Sequence, residues 1–142
     1  MGADFDLERF VAAQGGGGTH DRALAELRAG RKQSHWIWFV FPQIEGLGRS
    51  PTARAYAISS LSEARAYLGH PVLGPRLRES ADALLGLDSG DAEAVMGTVD
   101  AVKLRSSITL FARADPDDDR FPAVLRKFYG GEEDEATLAR LP

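Results

Sequence analysis

An all-α, single-domain fold follows from three features of the sequence. Apolar residues recur at helical spacing, as in Leu73, Leu77, Ala81 and Leu84, and again in Leu104, Ile108 and Phe111. Helix-start signals stand ahead of such runs, among them Ser50-Pro51 and Ser60-Leu61-Ser62-Glu63. No alternating strand pattern recurs and there is no internal repeat. With 142 residues, 44% hydrophobic and 27% charged, residues 1–142 supply one core and leave no room for a second. The expectation is a compact multihelical array of about seven to nine mostly short helices.

The elements follow in order. Asp4 or Asp6 caps a first helix through Val11, with Phe5, Leu7 and Phe10 as its apolar positions. Gly15 to Gly18 break it as a flexible connector, without the Lys and Ser/Thr of a phosphate loop. Thr19 caps a second helix to Ala29, with Leu24 and Leu27 inward and Gly30 just past its end. The run His35 to Phe41, HWIWFVF, is too apolar for a surface and fits either a buried strand or a short helix. Pro42 ends it, and Gln43 to Gly48 form a turn-rich loop. Ser50-Pro51 opens a short helix through Ala57, and Ser60 opens one to about Leu68. His70-Pro71 begins the next, through about Leu85, with His70 in a capping role. Asp91 caps a short turn to Met96, and Asp100 caps a helix from Ala101 to Ala114. After the acidic loop 115–119, Phe121 to Tyr129 and Asp134 to Leu141 are closing helices.

Composition removes several function classes. Without cysteine there is no disulfide, thiolate nucleophile or thiolate zinc site. No apolar run approaches the ~20 residues of a membrane span. The opening MGADFDLERF is acidic and lacks the parts of a signal peptide, so a cytoplasmic protein is expected. The net charge of −4 argues against nucleic acid as a partner. Charge is uneven, however: His20 to Arg54 carries net +3, while acid gathers at 115–119 and 132–135. Arginine outnumbers lysine 14 to 3, which supplies planar forks suited to carboxylate or phosphate.

Two clusters carry candidate chemistry. The stretch Lys32 to Gln43 holds both tryptophans, Trp36 and Trp38, with His35. Its aromatics fill a core, or they stack a planar ring in a pocket where Ser34, His35 and Gln43 orient the ligand. Lys103 to Thr109 is the second: Lys103, Ser106 and Ser107 share one helical face and suit an anion, with Arg105 beside them. The plainer reading is a lysine at a helix rim, with serines bonding back to carbonyls. Glu45, two residues after Gln43, is the candidate general base, and Asp100 is another. The three histidines lack metal-ligand spacing, and no GxSxG or GxGxxG is present, so neither metal nor cofactor is expected.

The run Arg31 to Gln43, RKQSHWIWFVFPQ, followed by Gly46-Leu47-Gly48, resembles the hallmark of a bacterial family known as domain of unknown function 1810. The likeness continues through Tyr56 to Ser60, Glu63-Ala64, Tyr67-Leu68, His70 to Leu77, Lys103 to Ser107, Thr109 to Phe111 and Thr137-Leu138. The opening Phe5-Asp6-Leu7, with Arg9-Phe10-Val11, also fits. The resemblance implies a compact all-α cytoplasmic domain and brings no established activity. The family tends to place an acidic pair before the lysine, whereas Thr98 to Val102 keep only Asp100 here. More distantly, a late lysine-bearing helix is similar to helical enzymes acting on NAD-derived and ADP-ribosylated molecules, which sets the ligand class.

The expected function is therefore a pocket for a small anionic, nucleotide-like ligand, with hydrolysis as its possible chemistry. Trp36 or Trp38 stacks the ring, Lys103 and Arg105 hold the anion with Ser106, Ser34 and Gln43 line the site, and His35 and Glu45 are the catalytic candidates. The alternative is a non-catalytic protein-interaction module whose basic stretch meets an acidic partner.

Overall fold

Helices take up most of residues 5–142, the part of the chain described by the computed structural model. They are α1 (Glu8–Gly15), α2 (Thr19–Arg28), α3 (Ile37–Val40), α4 (Pro51–Ala55), α5 (Leu61–Gly69), α6 (Leu73–Leu85), α7 (Ala92–Met96), α8 (Thr98–Ala114), α9 (Arg120–Tyr129) and α10 (Glu135–Leu138). The all-α array is the one expected. The described residues form ten α-helical segments against the seven to nine expected, and the added one is α3, a run that fits either strand or helix in the sequence. A single parallel bridge, Ile44 to Ile58, is the one strand-like pairing among the described residues.

Several helix starts form as their residues dictate. The Ser50 and Ser60 hydroxyls each accept a backbone N–H three residues on, at 3.1 Å. Asp91 accepts from the N–H groups of Glu93 and Ala94 at 3.1 and 3.2 Å. His70 caps α6 through Nδ1, which accepts from Val72 and Leu73 at 3.1 and 3.3 Å. Gly30 has φ +77, and the N–H of Arg31 returns to the Glu26 carbonyl, closing α2 with a left-handed turn.

Other starts differ. Asp4 lies outside the described residues, and Asp6 makes no cap: α1 begins after Leu7 and continues to Gly15. The glycine run is an ordered 3-10 turn with Gly17 and Gly18 at φ +65 and +73, which bends the chain between α1 and α2. Gly18 takes the N-cap position, so the Thr19 hydroxyl instead donates back to the Gly16 carbonyl at 2.9 Å. Asp100 is no cap either, because α8 starts earlier, at Thr98 with Gly97 in the N-cap position.

Helix α8 is the central element and packs against α3, α5, α7, α9 and α10. Its Phe111 lies between Tyr67 of α5, at 5.3 Å between ring centroids, and Phe121 of α9, at 6.1 Å. Tyr67 in turn meets Phe10 of α1 edge-on at 5.2 Å. A buried polar knot crosses this aromatic line. Gln14 Nε2 donates to the Phe39 carbonyl at 2.7 Å and to the Tyr67 hydroxyl at 3.0 Å, while Arg76 donates to Gln14 Oε1 at 3.3 Å. Burial pushes the Tyr67 hydroxyl well above its ordinary pKa, so it stays a donor.

The turn after α2 is fixed by one carboxylate. Glu26 accepts from the backbone N–H groups of Gln33 and Ser34 at 2.7 and 2.9 Å, the Ser34 hydroxyl at 2.6 Å, and the Trp36 indole N–H at 2.9 Å. Burial alone raises its pKa, but these four donors overcome that and bring it down to about 2. A carboxylate depressed from 4.5 stabilises the fold above that pH and loses the contribution as pH falls toward 2. Urea denaturation across pH 2–7 is expected to show this acid loss in the wild type and a smaller one in Glu26→Gln. At neutral pH Glu26→Ala is expected to lose about 1–3 kcal/mol, since it leaves the indole N–H of the buried Trp36 without its acceptor. Gly74→Ala is expected to lose about 1–3 kcal/mol by the same measurement, because a Cβ there collides with the Leu68 backbone carbonyl.

Candidate functional site

The left-handed turn at Gly30 sends the chain toward α7, where the Lys32 N–H donates to the Val95 carbonyl at 2.7 Å. The Lys32 side chain, only 7% exposed, ends 2.7 Å from Asp100 and 5.0 Å from the centroid of the Trp36 ring. Its ammonium also donates to the Ser34 carbonyl. Asp100 sits in the first turn of α8, where the helix dipole favours a carboxylate. Its second oxygen lies 3.5 Å from Lys103, and Lys103 rests 4.9 Å over the Trp38 ring. Two ammonium groups thus share one carboxylate between two indoles. The cluster carries a net positive charge in partly desolvated surroundings, where cation–π attraction helps hold it.

Two buried donors near this cluster are unused. The Trp38 indole N–H and the Ser107 hydroxyl are buried with no hydrogen-bond partner. Ser107 lies one turn beyond Lys103 on the same face of α8 and is fully buried. Each unsatisfied group costs about 1–3 kcal/mol.

The residues singled out in the sequence separate into distinct places. Trp38 and Lys103 come together, as described. Trp36 is 1% exposed and its N–H is committed to Glu26, so its ring is core and is closed to a ligand. The Ser34 hydroxyl is committed to Glu26 as well. His35 is exposed, with no hydrogen bond among the described residues, and Gln43 is half-buried, its carbonyl accepting from the Ile58 N–H. Glu45 is exposed in a separate cavity beside Arg49 and Arg54.

Arg105 does not share an anion with Lys103. Two residues along a helix turn about 200°, which puts the two cations on opposite sides. Arg105 instead donates to the carbonyls of Glu132 and Glu133 at 3.0 and 2.9 Å and lines a cleft of about 600 Å³ with Val102 and Tyr129. Ser106 donates to the carboxylate of Asp134, which also caps α10 through the Thr137 N–H at 3.0 Å. Sequence reasoning placed Ser107 on the Lys103 face but missed the organising role of Glu26 and the pairing of Lys32 with Asp100. Only the position of Lys32 at the edge of the tryptophan run signalled it.

Residues 4–141 match the family described as protein of unknown function (DUF1810). The chain belongs to this family. A similar solved structure is the crystal structure of the conserved hypothetical protein Rv1873 from Mycobacterium tuberculosis. That protein is 52% identical, with 96% of each chain covered and a TM-score of 0.93. No curated protein matches the chain. Among the described residues of this DUF1810 protein, no helix is long and apolar enough to cross a membrane.

The pairing around Asp100 has a measurable consequence for this DUF1810 chain. Asp100→Ala leaves the buried Lys32 ammonium uncompensated and is expected to lose about 2–4 kcal/mol in urea denaturation. The double variant Lys32→Met/Asp100→Ala is expected to recover part of that loss, because it removes the stranded charge together with its partner.

Proposed function

We propose that this DUF1810 protein binds a small anionic, nucleotide-like ligand at the Lys103–Trp38 face of α8. The observation that carries this reading is the pair of unused donors, Trp38 Nε1 and Ser107 Oγ, beside a lysine whose carboxylate is shared with a second lysine. An anionic oxygen drawn to Lys103 turns the ammonium away from the Trp38 ring and frees that face for a planar group. Charge-assisted hydrogen bonds and ring stacking each contribute roughly 1–3 kcal/mol, so two or three together reach micromolar affinity. His35 and Glu45 make no side-chain hydrogen bond to this cluster, and the proposal is one of binding rather than turnover.

A second reading, a protein-interaction module, is favoured by one observation. Val99 and Val102 are 68% and 61% exposed on successive turns of the same helix.

Thermal unfolding with ATP, NAD, ADP-ribose and sugar phosphates separates the two. The wild-type midpoint is expected to rise by several degrees with at least one of them, and the Lys103→Met midpoint is not. Equal shifts in both proteins, or none in either, overturn the ligand reading.

A further inference from the structure

The loop that follows the tryptophan run, Gly46 to Ser50, has no part in the lysine site. Its ends are fixed. The Glu45 N–H donates to the Ile58 carbonyl and the Ile58 N–H to the Gln43 carbonyl, both at 2.8 Å, and Ser50 caps α4. Gly46 has φ +100, and a Cβ there collides with the guanidinium of Arg140, which lies against the loop backbone. A cavity of about 510 Å³ opens at this loop, lined by Glu45, Arg49 and Arg54.

Most arginines elsewhere are engaged by an acceptor, Arg31 and Arg126 being the exceptions. Arg9, Arg28, Arg78, Arg105, Arg113 and Arg120 are all in ion pairs. The side chains of Arg49, Arg54 and Arg140 make neither an ion pair nor a hydrogen bond among the described residues. Yet acidic residues outnumber basic ones 21 to 17 in this chain, so counter-charges were not scarce. Arg49 and Arg54 line this cavity and Arg140 lies against Gly46 at the same loop, so three guanidinium groups stand near one glycine turn, with Glu45 as the carboxylate lining the cavity.

We propose that this loop is a phosphate-binding site, distinct from the Lys103 face, that takes a phosphate or pyrophosphate group, free or at the end of a small phosphorylated metabolite. Planar forks approaching from α4, from the loop and from the C-terminal segment suit a group with three or more peripheral oxygens. A carboxylate offers two oxygens and one charge and leaves a guanidinium unused. Glu45 faces the same cavity and weakens anion binding there.

Isothermal titration of the full chain at low salt with sodium phosphate, sodium pyrophosphate and glycerol 3-phosphate tests this. Binding of at least one is expected. Arg49→Gln and Arg54→Gln are each expected to weaken it about 10-fold, and Glu45→Gln to tighten it about 3-fold, while Lys103→Met leaves it unchanged. Tighter binding of glycerol 3-phosphate assigns the site to a phosphate ester, and tighter binding of an inorganic ion assigns it to the free anion. Circular dichroism shows whether each variant is folded, and Glu45→Gln is a gain that misfolding cannot produce. The proposal is overturned by no binding of any probe, by binding that survives Arg49→Gln/Arg54→Gln, or by binding lost in Lys103→Met.

Discussion

A single carboxylate, Glu26, decides how the most aromatic part of this chain is laid down. It gathers two backbone amides, a hydroxyl and an indole N–H within ten residues of itself. Those bonds fold residues 33–36 back over the end of α2 and drive Trp36 into the core. Lys32 is carried to Asp100 by the same turn, and α3 begins directly after it. Without that anchor, a helix of four residues would have too few internal hydrogen bonds to persist. The second anchor lies at the other end of α3, where the Phe39 carbonyl accepts from Gln14 and Tyr67.

The same logic separates the two tryptophans. Both look alike in the sequence, as large apolar rings in one run. One has its N–H satisfied by Glu26 and belongs to the core. The other has a buried N–H with no partner and a lysine on its face. A ring whose polar edge is already satisfied contributes packing, while a ring whose polar edge is unsatisfied holds binding capacity in reserve.

Most of the helices were legible because their signals are local. Ser50-Pro51, Ser60, His70 and Asp91 act within three residues of themselves, and the apolar stripe of α8 needs only its own periodicity. What was not legible depends on partners far along the chain. Asp100 has the look of a cap in the sequence, but Gly97 already takes the N-cap position of α8, and the Asp100 carboxylate is drawn to a lysine 68 positions away. Arg105 appeared to belong with Lys103 because they are two residues apart, although that spacing places them on opposite sides of a helix. The role of Glu26 was hidden because a glutamate on an amphipathic helix is ordinarily solvated. The Gly46-Leu47-Gly48 motif was visible as a pattern, whereas the arginine resting on it comes from the far end of the chain.

That far end is held differently from the rest. The only buried residue of α10 is Thr137, and the segment is fastened mainly by polar bonds: Asp134 to Ser106 and Thr137, and Glu133 to Arg113. Elements attached with so little apolar burial form the least stable cooperative unit of a fold and open before the core does. Arg140 travels with that unit. An anion held at the proposed loop site that also engaged Arg140 would act as a latch, holding the C-terminal turn shut by mass action and tying its local opening to the occupancy of a loop far back in the chain.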